Sequence, residues 1–137
     1  MHRSRLSSFV IDCRTDDVEA AARFWSAALG RAVKPVTEPD DFYRELETRE
    51  EECILLVQRV DHESRIHLDI EADDQEAEVR RLEALGARRI GWVKRWWVME
   101  APTGQRFCVI RPQRGALEGK PGATTWRDDP AASGEGR

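Results

Sequence analysis

No stretch of this sequence approaches the ~20 consecutive apolar residues that a helix needs to cross a bilayer, so no helical membrane span is expected. Cysteine is scarce: Cys13, Cys53 and Cys108 lie far apart. That excludes the close spacings of a zinc knuckle and the even count of a disulfide framework, and all three are expected to be reduced thiols. Positive charge is not in excess either, since 22 Lys and Arg against 26 Asp and Glu leave a net charge of −4. The basic pairs Arg80-Arg81, Arg88-Arg89 and Lys94-Arg95 are interleaved with acids. Nucleic acid demands a concentrated cationic surface, so no such partner is expected. A glycine-rich phosphate loop, a serine nucleophile elbow and a His-Glu metal helix are all missing, which leaves nucleotide hydrolysis, serine hydrolysis and zinc proteolysis without support. The basic start Met1-His2-Arg3-Ser4-Arg5 is followed by no apolar segment with a small-residue cleavage site, and a cytoplasmic location is expected.

What is present is the balance of one globular domain: 137 residues, 40% hydrophobic and 35% charged. Residues 7–13 alternate and are rich in β-formers, so they read as a strand. From Asp17 to Leu29 the apolar residues Val18, Ala21, Ala22, Trp25 and Leu29 recur at helical spacing, with acids in the first turn and Gly30 as a stop. Residues 31–37, 41–48 and 53–60 then read as three strands. A second copy follows, with a strand at 65–71, a helix at 76–85 capped by Asp73-Asp74 and stopped by Gly86, and short strands at 88–93, 96–100 and 106–111. The letters themselves repeat, DDVEA and ALG in the first copy answering DDQEA and ALG in the second. The fold class is therefore α+β, two βαβββ repeats at about 6–60 and 65–112 within one domain of residues 1–112. Residues 113–137 read as a polar, poorly ordered tail whose large apolar groups are Leu117 and Trp126, the latter able to dock on an apolar surface.

Residues two apart on a strand share a face. One face of the first strand carries Phe9, Ile11 and Cys13, the other Val10 and Asp12; the matching strand separates Ile66, Leu68 and Ile70 from His67 and Asp69. The apolar faces are expected to pack under the helices, leaving Val10, Asp12, His67 and Asp69 on the concave side. Asp12, Asp69 and His67 are thus candidate acid–base residues, although each can equally be a satisfied interior polar group. Phe42-Tyr43 and Trp92, Trp96 and Trp97 concentrate the aromatics. Adjacent Trp96 and Trp97 point to opposite faces, and one of them, taken as Trp97, is expected to line a cavity together with Tyr43. Phe24 and Trp25 read as helix core. Arg14, Arg106 and Arg111 end or flank strands and could clamp a ligand carboxylate or phosphate.

The stretches VIDCRTDDVEAAARFWSAALG, IHLDIEADDQEAEVRRLEALGA and APTGQRFCVIRP resemble the vicinal-oxygen-chelate superfamily, its glyoxalase-like and bleomycin-resistance branch above all, over about residues 6–112. The resemblance implies paired half-barrels around a cup that binds small molecules. It also implies metal ligands on the first and last strands of each repeat, which here fall at Val10, His67, near Leu56 and at Cys108. Valine and leucine cannot donate, so no metal and no cofactor is expected. An atypical divalent ion at His67 and Cys108, helped by Asp12, Asp69 or Gln58, is the alternative.

Two functions compete on this reading. One is a metal-independent binding protein that holds a small organic ligand against Val10, Leu56, Gln58, Tyr43, Trp97 and Cys108. The other is a glyoxalase-related lyase, isomerase or hydrolase using His67 with Asp12 or Asp69. A homodimer is expected from the fold type.

Overall fold

The computed structural model describes residues 1–38 and 40–127. The chain forms two helices and eight strands: β1 (His2–Arg14), α1 (Val18–Leu29), β2 (Tyr43–Leu46), β3 (Ile54–Val60), β4 (Arg65–Ala72), α2 (Gln75–Ala84), β5 (Arg88–Val93), β6 (Trp96–Glu100), β7 (Arg106–Ile110) and β8 (Thr124–Trp126). The described residues divide into two compact units, residues 8–67 and residues 1–7 with 68–127. The chain passes from one unit to the other inside β1 and again inside β4.

In the 8–67 unit, β1 pairs parallel with β3 and β3 antiparallel with β2. Helix α1 begins where the Asp17 side chain accepts the Ala20 N–H at 3.1 Å and ends at Gly30, whose positive φ of 67° needs no Cβ to be accommodated. It packs on β2 and β3, over the face carrying Ile11, Val57 and Leu46, all buried. One expected strand is missing. Residues 31–37 make a single bridge, Val33 to Leu46, because Pro35 has no N–H to offer a ladder; two flanking bonds, Lys34 N–H to Glu45 O and Glu47 N–H to Ala32 O, tie the segment instead. Phe24 also departs from expectation: it lies exposed, edge-on to the Trp25 ring at 5.1 Å.

In the other unit, β4 pairs parallel with β7, and β7, β6 and β5 form an antiparallel meander. Helix α2 starts at Asp74, which accepts the Ala77 N–H at 3.0 Å, and lays Val79 and Leu82 on a core of Ala72, Met99 and Val109. Each of the larger of these side chains, Val79, Leu82, Met99 and Val109, contributes about 1.5–3 kcal/mol of transfer free energy. Part of the segment expected to be a poorly ordered tail forms defined structure. Leu117 is buried, and Thr124–Trp126 add β8 antiparallel to His2–Ser4, so the first strand is five residues longer at its start than the alternation suggested. Residues 128–137 lie outside the described residues. No described helix is long and apolar enough to cross a membrane.

The candidate site

The ladder register decides which side chains share a wall. In the 8–67 unit Asp12 lies opposite Gln58, and Gln58 opposite Tyr43; one step along, Val10 lies opposite Leu56. Directly opposed residues point to the same side of a sheet, so Val10, Asp12, Tyr43, Leu56 and Gln58 occupy one face, the one turned away from α1. Cys13 and Arg44 sit on the reverse, against Trp25 and Glu19 of the helix. Burial pushes the Cys13 thiol up, which favours its protonated form.

The row carries two hydrogen-bonded pairs. Gln58 Nε2 donates to Tyr43 Oη at 2.8 Å, and His67 Nδ1 lies 2.7 Å from Asp12 Oδ2. Asp12 is only 2% exposed. Its Oδ1 is buried and has no hydrogen-bond partner among the described residues, and the Arg65 guanidinium stands 3.8 Å from Oδ2. A buried carboxylate costs several kcal/mol unless it is paired. This one has one oxygen engaged by His67 and the other without a partner among the described residues. Arg65 was not recognisable from sequence as part of the row, because it lies 53 residues from Asp12 and meets it only in the folded chain.

The other unit sorts its residues as clearly. Asp69 is the ladder partner of Cys108, and Cys108 of Val98, so these three share a face; Asp69 is buried and Cys108 half-buried. Glu71 follows on that same side two residues along β4. Trp97 does not belong to it. It lies opposite Val109 and packs in the α2 core, with the Trp92 ring at 5.4 Å and the Arg89 guanidinium at 4.9 Å. Trp96, its neighbour, takes the Asp69 and Cys108 face. Alternation alone could say that one tryptophan faces each way; the register that says which is set by β7. Arg106 is engaged by Glu100 at 3.3 Å, and Ile66 and Leu68, expected beneath a helix, stay exposed.

Residues 8–110 match the family model described as a glyoxalase-like domain. The chain belongs to this family. Among solved structures, the Mn(II)-bound glyoxalase from Novosphingobium aromaticivorans is similar at 17% identity and a TM-score of 0.54, over 85% of this chain and 44% of that one. Methylmalonyl-CoA epimerase from Streptomyces coelicolor aligns at 16% identity and 0.52, over 77% and 96%. A glyoxalase/bleomycin resistance protein/dioxygenase superfamily member from Vibrio splendidus 12B01 aligns at 17% and 0.51, over 77% and 98%. At these identities the likeness establishes the fold. No curated protein matches the chain.

The positions that this family's resemblance assigns to a metal do not fit one as a set of four. Val10 is buried and Leu56 is aliphatic, and neither offers a lone pair. Asp69 and Cys108, ladder partners on β4 and β7, do offer a carboxylate and a thiol on one face. That donor pair suits a zinc-class ion better than magnesium or manganese.

Proposed function

We propose that this glyoxalase-like domain captures a small organic molecule on the polar row of its 8–67 unit and uses His67, held by Asp12, to take up or deliver a proton. The observation that carries this reading is the 2.7 Å bond from His67 Nδ1 to a carboxylate that is almost fully buried. Such a carboxylate selects the tautomer with the proton on Nδ1, so that Nε2 bears the lone pair, and it stabilises the imidazolium once Nε2 is protonated. His67 is then the base and afterwards the acid; Asp12 is a positioning residue. The unpartnered Oδ1 of Asp12 offers an acceptor to a ligand O–H or N–H. Tyr43 and Gln58 hold each other in place to orient polar groups further along the row, and Val10 and Leu56 supply its apolar part. No step needs a divalent ion, and the chemistry served is that of a lyase, isomerase or hydrolase.

Native mass spectrometry of protein purified without added metal tests the binding half: a co-purified organic mass, lost in Asp12→Asn, supports it. Conversion of that molecule tests the other half. His67→Ala should retain binding while conversion falls by about 10²- to 10⁴-fold, the usual worth of a positioned proton-transfer group; unchanged conversion removes His67 from the reaction. A second reading, an atypical metal enzyme, is favoured by the facing carboxylate and thiol donors of Asp69 and Cys108. We also propose a homodimer, because Phe9 and Ile66 leave apolar surface exposed; a single-chain mass by light scattering contradicts it.

A further inference from the structure

Beyond the polar row, the segment that follows β7 is built as an arch with two moorings. Its first residue, Gln113, donates its backbone N–H to Glu71 Oε1 at 2.7 Å. Arg5 Nε donates to the other oxygen, Oε2, at 2.6 Å, and the same guanidinium reaches Pro121 O at 3.1 Å. Residues 113 and 121 are therefore tied to one buried carboxylate and its arginine. Leu117, halfway between, is 1% exposed. The arch bends at Gly115, Gly119 and Gly122, each with a positive φ that a side chain would strain.

The second mooring is Trp126. Beside the β8 ladder to His2–Ser4, its indole Nε1 donates to Ser4 Oγ at 2.8 Å, and the Arg81 guanidinium lies 3.8 Å from the ring centroid. Arg81 is itself clamped by two bonds, of 2.9 and 2.8 Å, to Glu78, which is fully buried and also binds His2 Nε2 at 2.7 Å. Burial pushes the Glu78 carboxyl up, but the bonds from Arg81 and His2 outweigh it and leave it below its ordinary value, so the charge that fixes Arg81 persists at neutral pH. Trp126 thus lands on a prepared notch, whereas the residues between the two large apolar anchors are small, polar or charged.

We propose that residues 113–126 are a strap that shuts over the Glu71 end of the sheet face carrying Asp69 and Cys108, with Trp126 as its latch. Glu71 is two residues from Asp69 on the same side of β4, so the first mooring stands one step from the Asp69–Cys108 pair. Lifting the strap exposes that face without dismantling the α2 core, which lies on the reverse of the sheet. The closure belongs to this unit alone and its test uses no ligand, so it fails or succeeds separately from the proposed function.

The test is the rate at which iodoacetamide labels each cysteine, followed by peptide mass analysis. Cys108 reports on the strap face; Cys13 and Cys53, in the 8–67 unit, are internal references. Trp126→Ala and Leu117→Ala should each speed Cys108 labelling by about 5- to 30-fold, the change in a local opening equilibrium that loses one such anchor, with Cys13 and Cys53 unchanged. Trp126→Phe, which keeps a ring beneath Arg81, should restore most of the protection. Cys108 labelling at the wild-type rate in both alanine variants overturns the strap, and so does a rise shared equally by all three cysteines, which means global loosening.

Discussion

Replacing Asp12 by asparagine separates the two things that a buried carboxylate can do. The wild-type group accepts one charge-assisted bond from His67, worth about 1.5–3 kcal/mol, and leaves one oxygen buried without a partner, at a cost of about 1–3 kcal/mol. The two nearly cancel. Asparagine keeps the size, gives up the charge, and can turn its amide so that an N–H meets Nδ1 while its oxygen stands where the orphan oxygen stood. Asp12→Asn should therefore change the unfolding free energy in urea by no more than about 1 kcal/mol, whereas Met99→Ala in the fully buried α2 core should cost about 2–5 kcal/mol. The His67 tautomer should respond strongly. Nitrogen-15 spectra of the imidazole should show the proton held on Nδ1 in the wild type and redistributed toward Nε2 in the variant. A loss of more than about 3 kcal/mol would make Asp12 a structural keystone, since the orphan oxygen would not be offsetting its bond. An unchanged tautomer would mean that something other than Asp12 orients His67, and the acid–base proposal would fall with it.

Gly86→Ala should destabilise by about 1–2 kcal/mol in denaturant melts, because its φ of 108° disfavours any side chain and a Cβ would sit 3.2 Å from Pro102 Cγ, while Gly91→Ala, with open space around it, should be milder; equal costs would count against this account. Glu52 is held down to about 2 by the Arg31 guanidinium and the Arg49 N–H. Because its folded value is depressed, whatever stability it contributes is present above the ordinary carboxylate range and is lost as pH falls toward 2, modestly at this solvent-screened position; a carbon-13 titration of the Glu52 carboxyl near 4.5 would contradict the Arg31 pairing. Elemental analysis of protein prepared without added metal should find far less than one ion per chain, and a stoichiometric zinc-class ion, lost together with binding in Cys108→Ala, would favour the atypical metal reading instead.

Much of this protein was readable from its letters, and the reason is local. The caps at Asp17 and Asp74, the stops at Gly30 and Gly86 and the alternation of Val10, Asp12, His67 and Asp69 follow from backbone geometry that depends on near neighbours in sequence, and the duplicated pattern made the family resemblance legible. What stayed hidden depends on partners far along the chain. The register of β6 on β7 sent Trp97 to the helix side and Trp96 to the other, a choice that a one-residue shift would reverse. The strand expected at 31–37 shrank to a bridge because its backbone partners lie on β2 and Pro35 cannot donate to them. The bond between Asp12 and His67 spans 55 residues, and the landing of Trp126 on Ser4 spans 122. Alternation and spacing can nominate such groups, but only the folded chain brings them within hydrogen-bond reach, since that distance is set by strand pairing and packing rather than by neighbours in sequence.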